Sequence, residues 1–117
     1  MIFVRELQNV RPEITPGEKF FDLVVGKDKQ PIGVCIADIK EAPLHYHKKT
    51  KEWYYVLDGK GKIFISTKTL NVKKGTLVFI ESGLKHKAKR IGNKKLLVLV
   101  VTCPPFSKED YFEVAKK

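Results

Sequence analysis

The sequence predicts an all-β fold, a sandwich or barrel built from short strands. Three observations lead there: short apolar segments recur at near-regular spacing, turn-forming residues separate them, and long helical periodicity is missing. Phe20–Val25 is followed by the turn-prone Gly26-Lys27-Asp28, and Ile32–Ile39 follows Pro31 and ends before Glu41-Ala42-Pro43. Glu52–Leu57 stops at Asp58-Gly59, a hairpin signal between apolar runs, and Lys62–Ser66 is the return strand. Leu70–Val72 precedes Lys73-Lys74-Gly75, and Thr76–Ile80 runs into Glu81-Ser82-Gly83. Lys85–Ile91 alternates in polarity, and Gly92-Asn93 turns the chain into Leu96–Val101. Pro104-Pro105 ends that strand. Ser107 then reads as a helix N-cap with Asp110 three residues on, while Phe106 and Tyr111 sit where a hydrophobic staple places them. A short amphipathic C-terminal helix packed on the barrel is expected.

The 117 residues fit one domain, 1–117, and a composition 43% hydrophobic and 31% charged suits a packed core. No signal peptide or spanning helix is expected: Arg5 and Glu6 interrupt Met1–Val4, and Leu96–Val101 falls far short of ~20 apolar residues. The expectation is a cytoplasmic protein, in which Cys35 and Cys103, with no CxxC pair, are small buried hydrophobes. A net charge of +10 admits an anionic substrate, a membrane surface or a nucleic acid. The excess is lysine spread along the chain, and Arg5, Arg11 and Arg90 are the only arginines. That pattern lacks the arginine and aromatic interleaving of a nucleic-acid reader.

The chemistry concentrates between residues 45 and 86. Successive side chains of a strand face opposite ways, so His45 and His47 share a face with Tyr46 turned away. After the polar turn Lys48–Lys51, Glu52 opens the next strand and can add a carboxylate. With Glu52 inward, Tyr54 and Val56 are inward too, and Trp53, Tyr55 and Leu57 point out. His86 begins a later strand and shares its face with Ala88 and Arg90, opposite Lys85, Lys87 and Lys89. Three imidazoles and one carboxylate suit Fe, Mn, Ni, Co, Cu or Zn better than Mg or Ca.

These residues resemble the cupin superfamily, whose first motif reads G-x5-H-x-H-x3-4-E-x6-G; here residues 45–59 read His45-Tyr46-His47-x4-Glu52-x6-Gly59. The second motif, G-x5-P-x-G-x2-H-x3-N, is matched within residues 75–90 by Gly75, Gly83 and His86. Ile39, Glu81 and Arg90 stand where the motifs have glycine, proline and asparagine, and none of the three is a ligand position. Only 15 residues separate Gly59 from Gly75, as at the compact end of the family. The segment Pro104-Pro105-Phe106 with Asp110 is similar to the tail of small cupins labelled mannose-6-phosphate isomerase-like.

The resemblance implies a double-stranded β-helix, the jelly-roll barrel, with His45, His47, Glu52 and His86 on one divalent transition metal such as Mn, Fe, Ni or Zn. It also implies a homodimer, in which a partner or a second sheet layer covers Trp53 and Tyr55. Tyr54 and Arg90 are the candidate catalytic residues beside the metal, with Tyr54 as barrel core or a proton donor and Arg90 as a substrate-anion anchor or half of an internal ion pair. The activity implied is that of a metal-dependent isomerase, dioxygenase or decarboxylase acting on a small polar or anionic metabolite. The competing expectation is a non-enzymatic module that holds a small ligand or a metal.

Overall fold

The computed structural model describes residues 2–115. Its strands are β1 (Glu13–Thr15), β2 (Glu18–Val24), β3 (Gly33–Ile39), β4 (His45–Tyr46), β5 (Lys51–Asp58) and β6 (Lys60–Ile65). They continue as β7 (Lys68–Lys73), β8 (Leu77–Ile80), β9 (His86–Arg90), β10 (Leu96–Cys103) and β11 (Phe112–Glu113). A six-stranded sheet runs in the order β1-β2-β3-β10-β5-β8, a five-stranded sheet in the order β11-β4-β9-β6-β7, and every paired strand is antiparallel. The two sheets face each other as a jelly-roll barrel, as the sequence predicts.

Alternation places the core. In β5, Glu52, Tyr54 and Val56 are buried while Tyr55 is exposed. In β10, Leu96, Val98, Val100 and Thr102 point inward. That strand lies between β3 and β5, so its outer residues are also half covered and the whole segment reads as one apolar run. Val56, Ile63, Ile80, Leu96 and Val98 form the driest part of the interior. Polar buried groups, His45, His47, Thr50, Glu52, His86 and Thr102, are gathered at other positions of the same inner faces.

The β5–β6 hairpin turns at Gly59, whose φ of 80° lies in the left-handed region. Its amide donates to Asp58 Oδ1 at 3.0 Å, and a Cβ there would collide with the Lys95 carbonyl oxygen.

The C-terminus differs from the expected amphipathic helix. Ser107 does cap, its Oγ accepting from Glu109 N at 3.2 Å, but the helix is a single 3-10 turn, Lys108–Asp110. Asp110 explains the stop. Its carboxylate leaves its own segment and accepts from the amides of Lys48 (2.8 Å), Lys49 (3.1 Å) and Thr50 (3.0 Å). The chain is thereby held extended, and β11 pairs with β4 while Phe112 stacks on Tyr46 at 5.2 Å. The staple pair Phe106 and Tyr111 does meet, ring to ring at 6.1 Å.

Trp53 and Tyr55 point outward as expected, and no second layer covers them among the described residues. Trp53 leans on Phe79 at 5.1 Å, and Tyr55, Leu77 and Phe79 are 41%, 61% and 46% exposed. Cys35 and Cys103 are free thiols, each partly buried. Among the described residues no helix is long and apolar enough to cross a membrane.

Candidate metal centre

The barrel brings His45, His47, Glu52 and His86 together from three segments. His45 opens β4 and pairs directly with His86 of β9, which places their rings 4.2 Å apart. His47 follows two residues on, its ring 5.1 Å from that of His45. Glu52 reaches in from β5 of the other sheet. The residue parity read from the sequence therefore holds, and the antiparallel register of β4 with β9 adds the long-range contact.

Each imidazole is aimed by the backbone. His45 Nδ1 lies 2.9 Å from Pro43 O, His47 Nδ1 2.7 Å from Asp110 O, and His86 Nδ1 2.9 Å from Leu84 O. A carbonyl oxygen only accepts, so each Nδ1 carries a proton and each Nε2 faces the centre, where those of His47 and His86 lie against Glu52 Oε1. Such outer bonds are the usual means of orienting metal-binding histidines. The Gly83 amide donates to His47 O at 2.6 Å, and Gly83, with φ of 86°, makes the turn that leads into His86.

The donor set fits one cation. The four candidate donor atoms lie within 4.8 Å of one another. Glu52 Oε1 is 2.9 Å from His86 Nε2 and 3.1 Å from His47 Nε2. Bonds of about 2.1 Å to a shared ion put adjacent donors about 3 Å apart, which these pairs already match. His47 Nε2 is buried and, among the described residues, not aligned with any hydrogen-bond partner despite its nearness to Glu52. A buried nitrogen of that kind calls for a proton or a metal.

Electrostatics agree with the geometry. Burial, and then the neighbouring His86, hold His45 down at about 4, so it is neutral at ordinary pH. Burial pushes the Glu52 carboxyl up, but the imidazoles of His47 and His86 against it outweigh that and hold Glu52 at about 2. Burial likewise opposes the His47 imidazolium, yet Glu52 and then Asp110 leave it raised.

Tyr54 is buried beside this group, its ring 6.2 Å from that of His86. Burial, then the charges of Glu52 and Glu18, push its hydroxyl well above the usual phenol range, so it is a neutral donor. Arg90 is not brought alongside: it is half-buried four residues along β9 from His86, roughly 13 Å away at strand rise. It pairs in register with Gly61 and forms no ion pair among the described residues. Lys48, Lys49 and Lys51 face solvent, and Lys51 sits 3.9 Å from exposed Glu81.

Sequence reasoning missed Asp110 as a supporting residue. It fixes the loop between His47 and Glu52 through its carboxylate and the His47 ring through its carbonyl. A contact 60 residues away in the chain leaves no local signal.

The sequence matches the family described as Cupin domain over residues 34–102. An uncharacterised protein of Methanocaldococcus jannaschii is 35% identical over 83 residues, covering 70% of this chain and 66% of that relative. The match thus spans just under two thirds of that relative's length. Among solved structures, ectoine synthase from P. lautus superposes with a TM-score of 0.84 at 18% identity, covering 99% of this chain and 92% of the other. A predicted oxalate decarboxylase from Thermotoga maritima superposes at 0.79 with 23% identity, covering 87% and 99%. At these identities both superpositions establish the fold.

Proposed function

Since the chain belongs to the cupin domain family, we propose that it is a metal-dependent enzyme acting on a small polar metabolite through one divalent transition metal. The carrying observation is the convergence of three backbone-oriented imidazoles and Glu52 on one point. His45, His47, Glu52 and His86 would hold the ion. An ion so held would supply Lewis acidity to an oxygen of the bound molecule. Glu52 supplies the one negative charge of the set, and burial of the four residues keeps bulk water from competing with them. Tyr54, protonated and inward, is proposed to donate a hydrogen bond to the bound molecule. Isomerase, decarboxylase and oxygenase chemistry all run on such a set, and the enzyme names of the two structural neighbours are consistent with the fold hosting such reactions.

The test is elemental analysis of protein purified without added metal, followed by aerobic and anaerobic turnover screens with metal-free and reconstituted protein. Near-stoichiometric metal, lost in His47→Ala, and turnover restored by one particular metal are expected. Turnover surviving in metal-free protein defeats this reading. A ligand that raises the melting temperature of the metal-loaded protein and is never consumed makes the protein a binding module instead.

A homodimer is part of the proposal. Tyr55, Leu77 and Phe79 form an exposed apolar patch across β5 and edge strand β8, the kind of surface a second copy covers.

A further inference from the structure

The barrel holds a cavity that the metal ligands do not use. Asp22, Gly33, Cys35, Val100, Thr102 and Phe106 contribute to its lining, and its volume is about 60 Å³. Register places it beside the metal centre. Thr102 pairs with Glu52, Val100 pairs with Tyr54, and Asp22 reaches the same row through Cys35. Phe106 closes it, its ring edge-on to that of His47 at 6.1 Å.

The lining has a definite chemistry. Thr102 is 6% exposed, and its Oγ1 has no hydrogen-bond partner among the described residues. Gly33 leaves the space before that hydroxyl open, since a Cβ there would stand 2.5 Å from Thr102 Oγ1 and 3.2 Å from Pro105 Cα. Asp22 is half-buried, and its carboxylate has neither an ion pair nor a hydrogen bond among the described residues. Arg5, Arg11 and Lys27 border Asp22 on its outer, solvent side, where the Arg5 guanidinium is taken by Asp28 at 2.8 Å and by the Leu23 carbonyl at 2.7 Å. Among the described residues no lysine or arginine lines the cavity itself.

Toward the barrel interior the neighbouring charges are acidic, although the chain carries +10. Burial, and then Glu13, raise Asp22. Glu18, on the same face of β2, is pushed up to about 7 by burial and by the charges of Glu52 and Glu113. The Cys35 thiol is pushed up to about 12 by burial and these carboxylates, so it stays a neutral thiol. Among the described residues Asp22 is the one carboxylate in an otherwise largely apolar wall, and an unpaired carboxylate there favours an incoming cation over an anion.

We propose that this cavity seats the primary ammonium group of a small substrate whose other end meets the metal centre, with Asp22 and Thr102 Oγ1 as the ammonium's partners. The proposal rests on the metal-centre reading and narrows its substrate to an amine. The volume suits an alkylammonium head and a few water-sized groups, and is too small for a sugar ring or nucleotide.

The test is calorimetric titration of the metal-loaded full chain with propylammonium chloride, 1-propanol and propanoate. Propylammonium is expected to bind about tenfold tighter than either isostere, as a charge-assisted pair requires. Asp22→Asn should abolish that preference and Thr102→Val weaken propylammonium severalfold, with metal content unchanged in both. Thr102→Val replaces a hydroxyl that has no partner, so its folding is secure even if Asp22→Asn is unstable. Equal or tighter binding of propanoate, or an undiminished ammonium preference in both variants, overturns the inference. Full metal occupancy without an ammonium preference sinks this inference alone, whereas failure to bind metal sinks the metal-centre reading and is seen separately in the elemental analysis.

Discussion

At the scale of single residues, the three histidines are each held from behind by a carbonyl, and Glu52 is held from in front by two of them. Replacing Glu52 by Gln keeps the shape and removes the only charge among the four donors. Metal content by elemental analysis is expected to fall at least tenfold in Glu52→Gln, while Arg90→Gln, at the far end of β9, should leave it unchanged. Glu18 offers a test that needs no metal. Its folded value of about 7 stands above the 4.5 of a free glutamate, so the folded chain keeps a proton that the unfolded chain releases. Stability from this group is therefore full below about pH 4.5 and declines as pH rises toward 7. In denaturant titrations of chelated protein, Glu18→Gln should match the parent at pH 4 and exceed it by roughly 2 kcal/mol at pH 8, after discounting for partial exposure. A gap that stays flat with pH would show that the carboxyl is not buried as described.

At the scale of elements, two turns and one latch hold the site. Gly59 combines a left-handed φ with a collision between any Cβ and the Lys95 carbonyl, so Gly59→Ala should lower stability by about 3 kcal/mol in thermal unfolding. The latch is Asp110. Asp110→Ala leaves the amides of Lys48, Lys49 and Thr50 without their acceptor and should cost about 2 kcal/mol. It should also weaken metal binding about tenfold, because the turn that carries the His47 acceptor loosens. Unchanged metal affinity would reduce the latch to a structural contact. The cap at Ser107 was readable from its neighbours alone, because an N-cap bonds within its own turn. The destination of Asp110 was not, because its partners lie 60 to 62 residues earlier. The helix expected there gave way to a 3-10 turn and β11 for that reason.

At the scale of the whole molecule, charge and apolar surface are separately arranged. Lysines face solvent around most of the barrel, and the carboxyl of Asp22 faces the cavity beside the metal centre. The apolar outer patch on β5 and β8 is expected to be the dimer contact, so Phe79→Glu should shift the protein from dimer to monomer in light scattering. A parent protein that is already monomeric at micromolar concentration removes that expectation.

What the sequence by itself determined is what local rules control. Side-chain period in a strand put Glu52, Tyr54 and Val56 on one face and Trp53 and Tyr55 on the other, and turn chemistry marked Asp58-Gly59. That same period put His45 and His47 on one face, and the resemblance to the cupin motifs added Glu52 and His86. Only the tertiary structure decided which strands became neighbours. It set Asp22, Cys35, Val100 and Tyr54 in one row and Gly33, Thr102 and Glu52 in the next. Those relations depend on barrel closure across long chain separations, and no local periodicity encodes them.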